Sequence, residues 1–409
     1  MKSVPLSHAA EVVLGRQRAP QYEEGEGQTP YLRSANIKDG RLDLSDVKSM
    51  RFSLGERMRY ELRAGDVLVT EGSGSRDSVG ASAVWLDELP GQVCFQNTLL
   101  RLRPRAGVSG RYLGWWARYA HASGLVQDVA SGANILHVGA EAMRSLPLAL
   151  PEFEEQQRIA DFLDDQVACL DSASWDAQRA GCLVAGRFQA NVDAIFAGSA
   201  QTVPLKALLM RFPQYGVLVP KLMDTGVPFI RIRDLSQLAG REAASLAAIP
   251  AAQSLEFRRT VVAAGDVVVG VVGSTDKAAL VPMQLAGANI ARAVARLVPR
   301  PGVPSDVLLG WLSTTAYRRQ VAAVTDADTA QPTLNMSELR NFRVALPDRS
   351  LPALAASVQD AREERRSLAT RTNTLVHLLH ERRKALITAC VTGEFDVSTA
   401  SLRARGAAP

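Results

Sequence analysis

Apolar residues recur at helical spacing across Glu152–Gly198: Ile159, Phe162, Leu163, Cys169 and Leu170, Leu183 and Val184, Phe188, Val192 and Ile195. The stretch follows Pro151, has no proline inside, and crowds Glu152, Glu154 and Glu155 into its first turns, where carboxylates complement the helix dipole. It predicts one helix of about forty residues, roughly 60 Å long at ~1.5 Å rise per residue. A helix that long needs a partner along its length. A second stripe supplies one: Val358, Ala361, Leu368, Leu375, Leu379 and Leu386, close to heptad spacing within Leu351–Gly393. Antiparallel pairing would carry the blocks before each helix to opposite ends of a rod.

Between the helical stretches the pattern shortens. Pro30–Ile37 reads as a strand, and Leu62–Thr70 as a turn on Gly65-Asp66 followed by a short apolar strand. Another apolar run ends at Trp85. Phe95–Arg105, which contains Asn97, alternates apolar and basic residues as a half-buried strand would. Arg111–Ala122 reads as a helix with Leu113, Trp116 and Tyr119 inward. Residues 199–347 run through the same order.

The order repeats because the chain does. Val4-Pro5-Leu6 returns as Val203-Pro204-Leu205, Pro30-Tyr31-Leu32-Arg33 as Pro228-Phe229-Ile230-Arg231, and Gly65-Asp66-Val67 as Gly265-Asp266-Val267. Leu113-Gly114-Trp115 returns as Leu309-Gly310-Trp311, and Ala149-Leu150-Pro151 as Ala345-Leu346-Pro347. Five matches in order, at offsets of 196–200, identify a duplicated unit of about two hundred residues. The fold class is therefore α+β: two similar α/β blocks joined by two long antiparallel helices, with a pseudo-two-fold internal repeat. The boundaries read as a block over 1–151, a helix over 152–198, a block over 199–347, a helix over 348–396, and a disordered tail over 397–409.

At 409 residues the chain is too long for one core and suits two domains. Its 47% hydrophobic and 22% charged content is that of a soluble globular protein, and no run reaches the length of a membrane span. The four cysteines, Cys94, Cys169, Cys182 and Cys390, lack metal-site spacing and read as reduced cytosolic thiols. A formal charge of +5 mildly favours a polyanionic partner.

Two polar loops follow the repeated Gly-Asp strand. Glu71–Ser78 carries Ser73, Ser75 and Arg76, and Gly270–Ala278 carries Ser274, Thr275 and Lys277. Glycine-freed N–H groups, a hydroxyl and a cation suit a phosphate oxygen, though an ordinary surface turn has the same composition. Arg33, Asn36 and Lys38 in the first block, and Arg231 and Arg233 in the second, lie on corresponding strands. Arginine and asparagine are the side chains that read guanine and adenine edges; structural salt bridges are the competing reading. The nucleoside-triphosphate loop, the H-E-x-x-H metal motif and the G-x-S-x-G elbow are missing, as is the [DNS]-P-P-[YFW] stretch that holds a flipped base. His377 and His380 are spaced to share a metal, but their charged neighbours mark a solvated helix face.

LPLALPEFEEQQRIADFLD (146–164) resembles the opening of the first conserved helix in specificity subunits of type I restriction–modification systems, and ERRKALITACVTGEFDV (381–397) resembles the end of the second. PYLRSANI, GDVLVTEGSGS and GDVVVGVVGS resemble the framework of that family's target-recognition domains. The second helix departs from the pattern, opening with LPDRSLPALAASVQD. The resemblance implies a DNA reader without chemistry of its own. Each block would read half of a split duplex target, and the helices would set the spacing. Ile159, Phe162, Leu163, Leu170, Leu368, Leu375, Leu379 and Leu386 would serve helix pairing and the docking of two methyltransferase subunits. Those partners would bind S-adenosylmethionine, and motor-nuclease subunits would bring ATP and magnesium. The alternatives are a scaffold binding protein or another polyanion, and an enzyme of unrecognised type.

Overall fold

The computed structural model describes residues 2–18, 27–38, 40–73, 75, 78–132, 135–198, 201–325 and 332–398. The chain forms two compact units, Met1–Asp176 with Leu375–Pro409, and Ala177–Thr374. Among the described residues no helix is long and apolar enough to cross a membrane.

The first unit contains β1 (Lys2–Pro5), β2 (Ala10–Leu14), β3 (Gln28–Leu32), β4 (Lys48–Arg51), β5 (Val67–Thr70), β6 (Ser82–Val84), β7 (Cys94–Phe95), β8 (Leu99–Pro104), α1 (Gly110–Ala122) and β9 (Pro147–Leu150). Strands β2-β8-β5-β6 form an antiparallel sheet of four. A second sheet has the order β7-β3-β4, parallel between β7 and β3. The first strand pairs with the last, β1 with β9. The 43-residue helix α2 (Phe153–Ile195) follows and continues into the second unit.

The second unit contains β10 (Gln201–Pro204), β11 (Gln214–Tyr215), β12 (Val227–Ile230), β13 (Ala247–Ile249), α3 (Ala251–Glu256), β14 (Val267–Gly270), β15 (Ala278–Leu280), β16 (Asn289–Ile290), β17 (Val294–Leu297), α4 (Ser305–Leu312), α5 (Thr315–Val324), β18 (Arg343–Leu346) and the first part of the 42-residue α6 (Leu351–Thr392), whose residues from Leu375 on belong to the first unit. Its sheets repeat those of the first: β11-β17-β14-β15, β13-β12-β16 with β12 and β16 parallel, and β10 with β18. The duplication read from short motifs is a duplication of topology.

The apolar runs of the central strands have a structural cause. Val67 and Val69 face the helices, while Leu68 enters a second core with Leu32, Trp85 and Phe95. Val267, Val269 and Val268 divide the same way between two cores of the second unit. A strand covered on both faces must be apolar at every position. Before each strand Gly65 (φ 92°) and Gly265 (φ 83°) take left-handed turns open to glycine. Behind them Asp66 is 1% exposed, holds the Arg63 N–H at 2.8 Å and receives two bonds from Arg103 at 2.9 and 2.7 Å. Asp266 receives the Ala263 N–H and Arg296, both at 2.7 Å. The repeated Gly-Asp pair is thus a turn lock.

Each unit packs its sheets against two antiparallel helical segments. In the first, Ile159, Leu163 and Val167 of α2 share a core with Ile387, Cys390 and Val391 of α6, and Phe162 stacks on Phe395 at 5.7 Å. In the second, Phe188, Val192 and Phe196 share a core with Leu354, Ala355 and Val358. Burying each large side chain contributes roughly 1.5–3 kcal/mol relative to exposure, which explains why helices this long hold. Val397 is also buried in the first core, so the ordered chain runs past the predicted end of the helical region; residues 399–409 lie outside the described residues.

Gln156 explains the EEQQ motif. It is 1% exposed; its carbonyl takes the Ser109 N–H at 2.8 Å, and its amide donates to Pro151 and Gly107 at 2.9 and 3.2 Å. It staples the start of α2 to the loop before α1. In the second copy the corresponding residue is Leu354, fully buried in its core. A hydrophobic plug there replaces a hydrogen-bonded staple, so the motif is not needed.

Candidate nucleic-acid interface

In each unit three chain segments meet at one edge of the three-stranded sheet, where its two parallel strands end. In the first, the Gln96 N–H donates to Leu32, the Asn97 N–H to Arg16, and the Arg16 N–H to Phe95, at 2.9, 2.9 and 3.1 Å. In the second, Ala291 donates to Ile230, Arg292 to Val217, and Val217 to Ile290, at 2.9, 2.9 and 2.8 Å. The two ladders superimpose bond for bond. Their closeness demands glycine just before them. A Cβ on Gly15 would lie 2.2 Å from the Gln96 carbonyl oxygen, and one on Gly216 1.9 Å from that of Ile290.

The candidate loops join this edge. Glu71 donates its N–H to Thr98 at 2.9 Å, while the Thr98 hydroxyl takes the Ser34 N–H at 3.0 Å. Val271 bonds Ala293 in the same way at 2.8 Å. Arg33, Asn36, Asn97 and the start of the 71–78 loop therefore come together in one unit. Arg231, Arg233 and the start of the 270–278 loop do so in the other. Sequence reasoning missed Thr98, the hinge of the first cluster, and Arg292, the counterpart of Asn97. Aligning Cys94–Asn97 with Asn289–Arg292 would have found the latter.

Several details differ from expectation. The Pro30–Ile37 strand stops at Leu32, because Asn36 accepts the Arg33 N–H at 3.0 Å and folds Ser34–Asn36 into a 3-10 turn. Asp234 caps Arg231 in the same way at 2.9 Å. Asn36 is not available to a base. It is 2% exposed, and its amide also donates to the Asp43 and Asp46 carbonyls at 2.8 and 3.2 Å. Arg33 pairs with Asp46 at 2.5 Å, and Arg231 with Asp234 at 3.4 Å. Hydrogen bonds from Lys48, and the charge of Arg33, keep the Asp46 carboxyl below its ordinary range. The cations that face solvent at these edges are Lys38, Arg233 and Arg292.

The loop backbones are also occupied. Gly72 and Ser73 pair with Leu136 and His137, and the N–H groups of Gly270, Gly273 and Ser274 donate to Lys277, Pro332 and Val272. Ser75 is exposed, and Ser274, Thr275 and Lys277 are half-buried; Thr275 is tied through its carbonyl to the Tyr317 hydroxyl at 3.1 Å. Arg76 lies outside the described residues.

The helix stripe divides in two. Ile159 and Leu163 are fully buried, and Phe162 and Leu386 are half-buried against the same core. Leu170, Leu368 and Leu379 are half-buried, and Leu375 is 48% exposed. The strongly exposed apolar groups on the helices, Trp175, Leu183 and Leu378, were not anticipated. His377 and His380 are both exposed.

Residues 8–173 match the type I restriction modification DNA specificity domain. The type I restriction enzyme StySPI specificity subunit of Salmonella potsdam is 25% identical over 174 residues, 42% of this chain and 37% of that protein. The EcoBI specificity subunit of Escherichia coli is 25% identical over 246 residues, 53% of this chain and 51% of that protein. The matches thus span between about a third and a half of these curated relatives. In fold the likeness is nearly complete. A chain solved in work on complex assembly of a type I R-M system aligns over 95% of this chain and 97% of its own, with TM-score 0.72 at 15% identity. The HsdS subunit from Thermoanaerobacter tengcongensis aligns over 96% and 97%, with TM-score 0.53 at 16% identity. The first half thus carries a match to the type I restriction modification DNA specificity domain, and the same topology is repeated in the second half.

Proposed function

We propose that this chain is the DNA sequence-recognition subunit of a type I restriction–modification complex, each unit reading one half of a split duplex target. The observation that carries the reading is the twofold occurrence of one site. The same backbone ladder positions Asn97 in one unit and Arg292 in the other. Arginine and asparagine suit purine edges in the major groove, and different side chains on one scaffold suit different half-sites. Arg33, Asn36, Arg231 and Asp234 position the edge rather than read it. The long helices set the distance between half-sites and dock two methyltransferase subunits, with Trp175, Leu183, Leu375 and Leu378 as exposed apolar contacts. S-adenosylmethionine is bound by those subunits, and ATP and magnesium by the motor-nuclease subunits.

The test is adenine-methylation mapping by long-read sequencing in host cells with and without the gene. Loss of methylation at a split motif of fixed spacing on deletion is the expected result. Unchanged methylation, with the partner methyltransferase expressed, rejects the proposal.

A further inference from the structure

The second unit carries an apolar projection beside its reading edge. After Val217 the chain exposes Leu218 by 59%, Val219 by 79%, Leu222 by 56% and Met223 by 44%, with Leu255 of α3 at 69% nearby. The segment is held in place. The Gln253 side chain accepts the Lys221 N–H at 3.0 Å and donates to the Val219 carbonyl at 2.9 Å, and Met223 exchanges backbone bonds with Ala248. Fixed exposure of this many apolar groups is costly in water and marks a surface that something covers.

Its surroundings say what. Val217 is bonded to Arg292, so Leu218 emerges next to the arginine of the reading edge. Lys221 lies within the segment, and exposed Arg258 and Arg259 follow Leu255 along an open cleft of about 480 Å³. Glu256 and Asp224 are the carboxylates nearest in sequence, so cations predominate. An apolar tip inside a cationic collar fits a partner that is anionic outside and offers an apolar contact within, as a duplex groove does at thymine. The corresponding segment of the first unit, QRAPQYEEGE (17–26), is polar and acidic in sequence.

We infer that Leu218–Met223 enters the major groove of the second half-site and reads thymine through its 5-methyl group, the one apolar feature of the groove floor. The inference rests on the DNA-reading proposal above and assigns part of its specificity. The polar, acidic sequence of the corresponding first segment does not favour that contact.

The experiment uses the full chain with its methyltransferase partners and a duplex carrying the mapped target. Deoxyuridine replaces thymidine in either half, and equilibrium binding is read by fluorescence anisotropy. Uracil in the second half weakens binding about three- to fourfold per methyl removed, the size set by burying one such group, and uracil in the first half does not. In a Leu218→Ser/Val219→Ser variant, checked for an unchanged melting temperature, the uracil effect disappears. The inference is overturned if uracil in the second half is without effect, if the variant keeps the thymine preference, or if the mapped second half-site has no A·T pair. It is equally overturned if the variant loses binding to phosphatidylglycerol vesicles while its DNA binding is unchanged. Absence of any split motif for the natural chain fails the DNA-reading proposal; a split motif without a uracil effect fails this inference alone.

Discussion

Asp66 and Asp266 show how a repeated dipeptide earns its place. Each is nearly buried, and each closes its turn while neutralising a half-buried arginine. Removing one member of such a pair leaves an uncompensated charge, so Asp66→Ala or Asp266→Ala is expected to cost about 3–5 kcal/mol. The midpoint of denaturant unfolding should fall for either variant; an unchanged midpoint would show that the turn stands without its carboxylate. Asn36 teaches a different lesson at the same scale. Its residue type suits a base edge, but burial gives its amide three backbone partners, and residue type alone does not reveal burial.

At the scale of elements, α2 is tied to the start of α5 by one carboxylate. Asp193 takes the Thr315 N–H at 2.7 Å and the Thr315 hydroxyl at 2.6 Å, with Gln189 at 3.1 Å. Burial pushes its pKa up, but the bonds from Thr315 outweigh that and leave it below the ordinary aspartate value of 3.8. A folded-state pKa below the unfolded one adds stability above the ordinary value, lost as pH falls through it and then through the folded value. The melting temperature of the natural chain should therefore drop more steeply below about pH 4 than that of Asp193→Asn; parallel profiles would remove Asp193 from the account. Both long helices were legible in the sequence because 3.6-residue periodicity sustained over forty residues has no other cause. The short strands were legible where both faces are buried, as at Val67–Val69. The break after Leu32 was not, since it depends on one side-chain cap. Nor was the covered face of the helices, because a stripe does not say whether sheet, helix or solvent lies opposite Leu375.

For the whole molecule, the specificity-domain match in sequence covers residues 8–173, whereas likeness in fold covers 95% of the chain. The second half has kept its turn locks, glycines and strand pairings while changing what faces solvent. The paired sheet edges could be approached from the repeat, but Arg292 and the 218–223 projection could not, because they lie where the halves differ. Binding to the mapped target should fall steeply with salt; Arg233→Ala should lower the log–log slope by about one, whereas Arg292→Ala should relax the preference at one position of the second half-site. Equal slopes in titrations of the natural and Arg233→Ala chains would take that arginine off the phosphates.

One feature of the repeat is inverted rather than copied. In the first unit Arg111 of α1 reaches Asp161 and Asp164 on α2. At the matching place in the second, Asp306 of α4 reaches Gln359 and Arg362 on α6. A chain built of two nearly interchangeable halves runs the hazard that each block folds onto the other's helix. The reversed polarity makes that exchange self-penalising, since Arg111 would meet Arg362 and Asp306 would meet Asp164. The duplicated architecture thus carries a key for its own assembly, written in five charges.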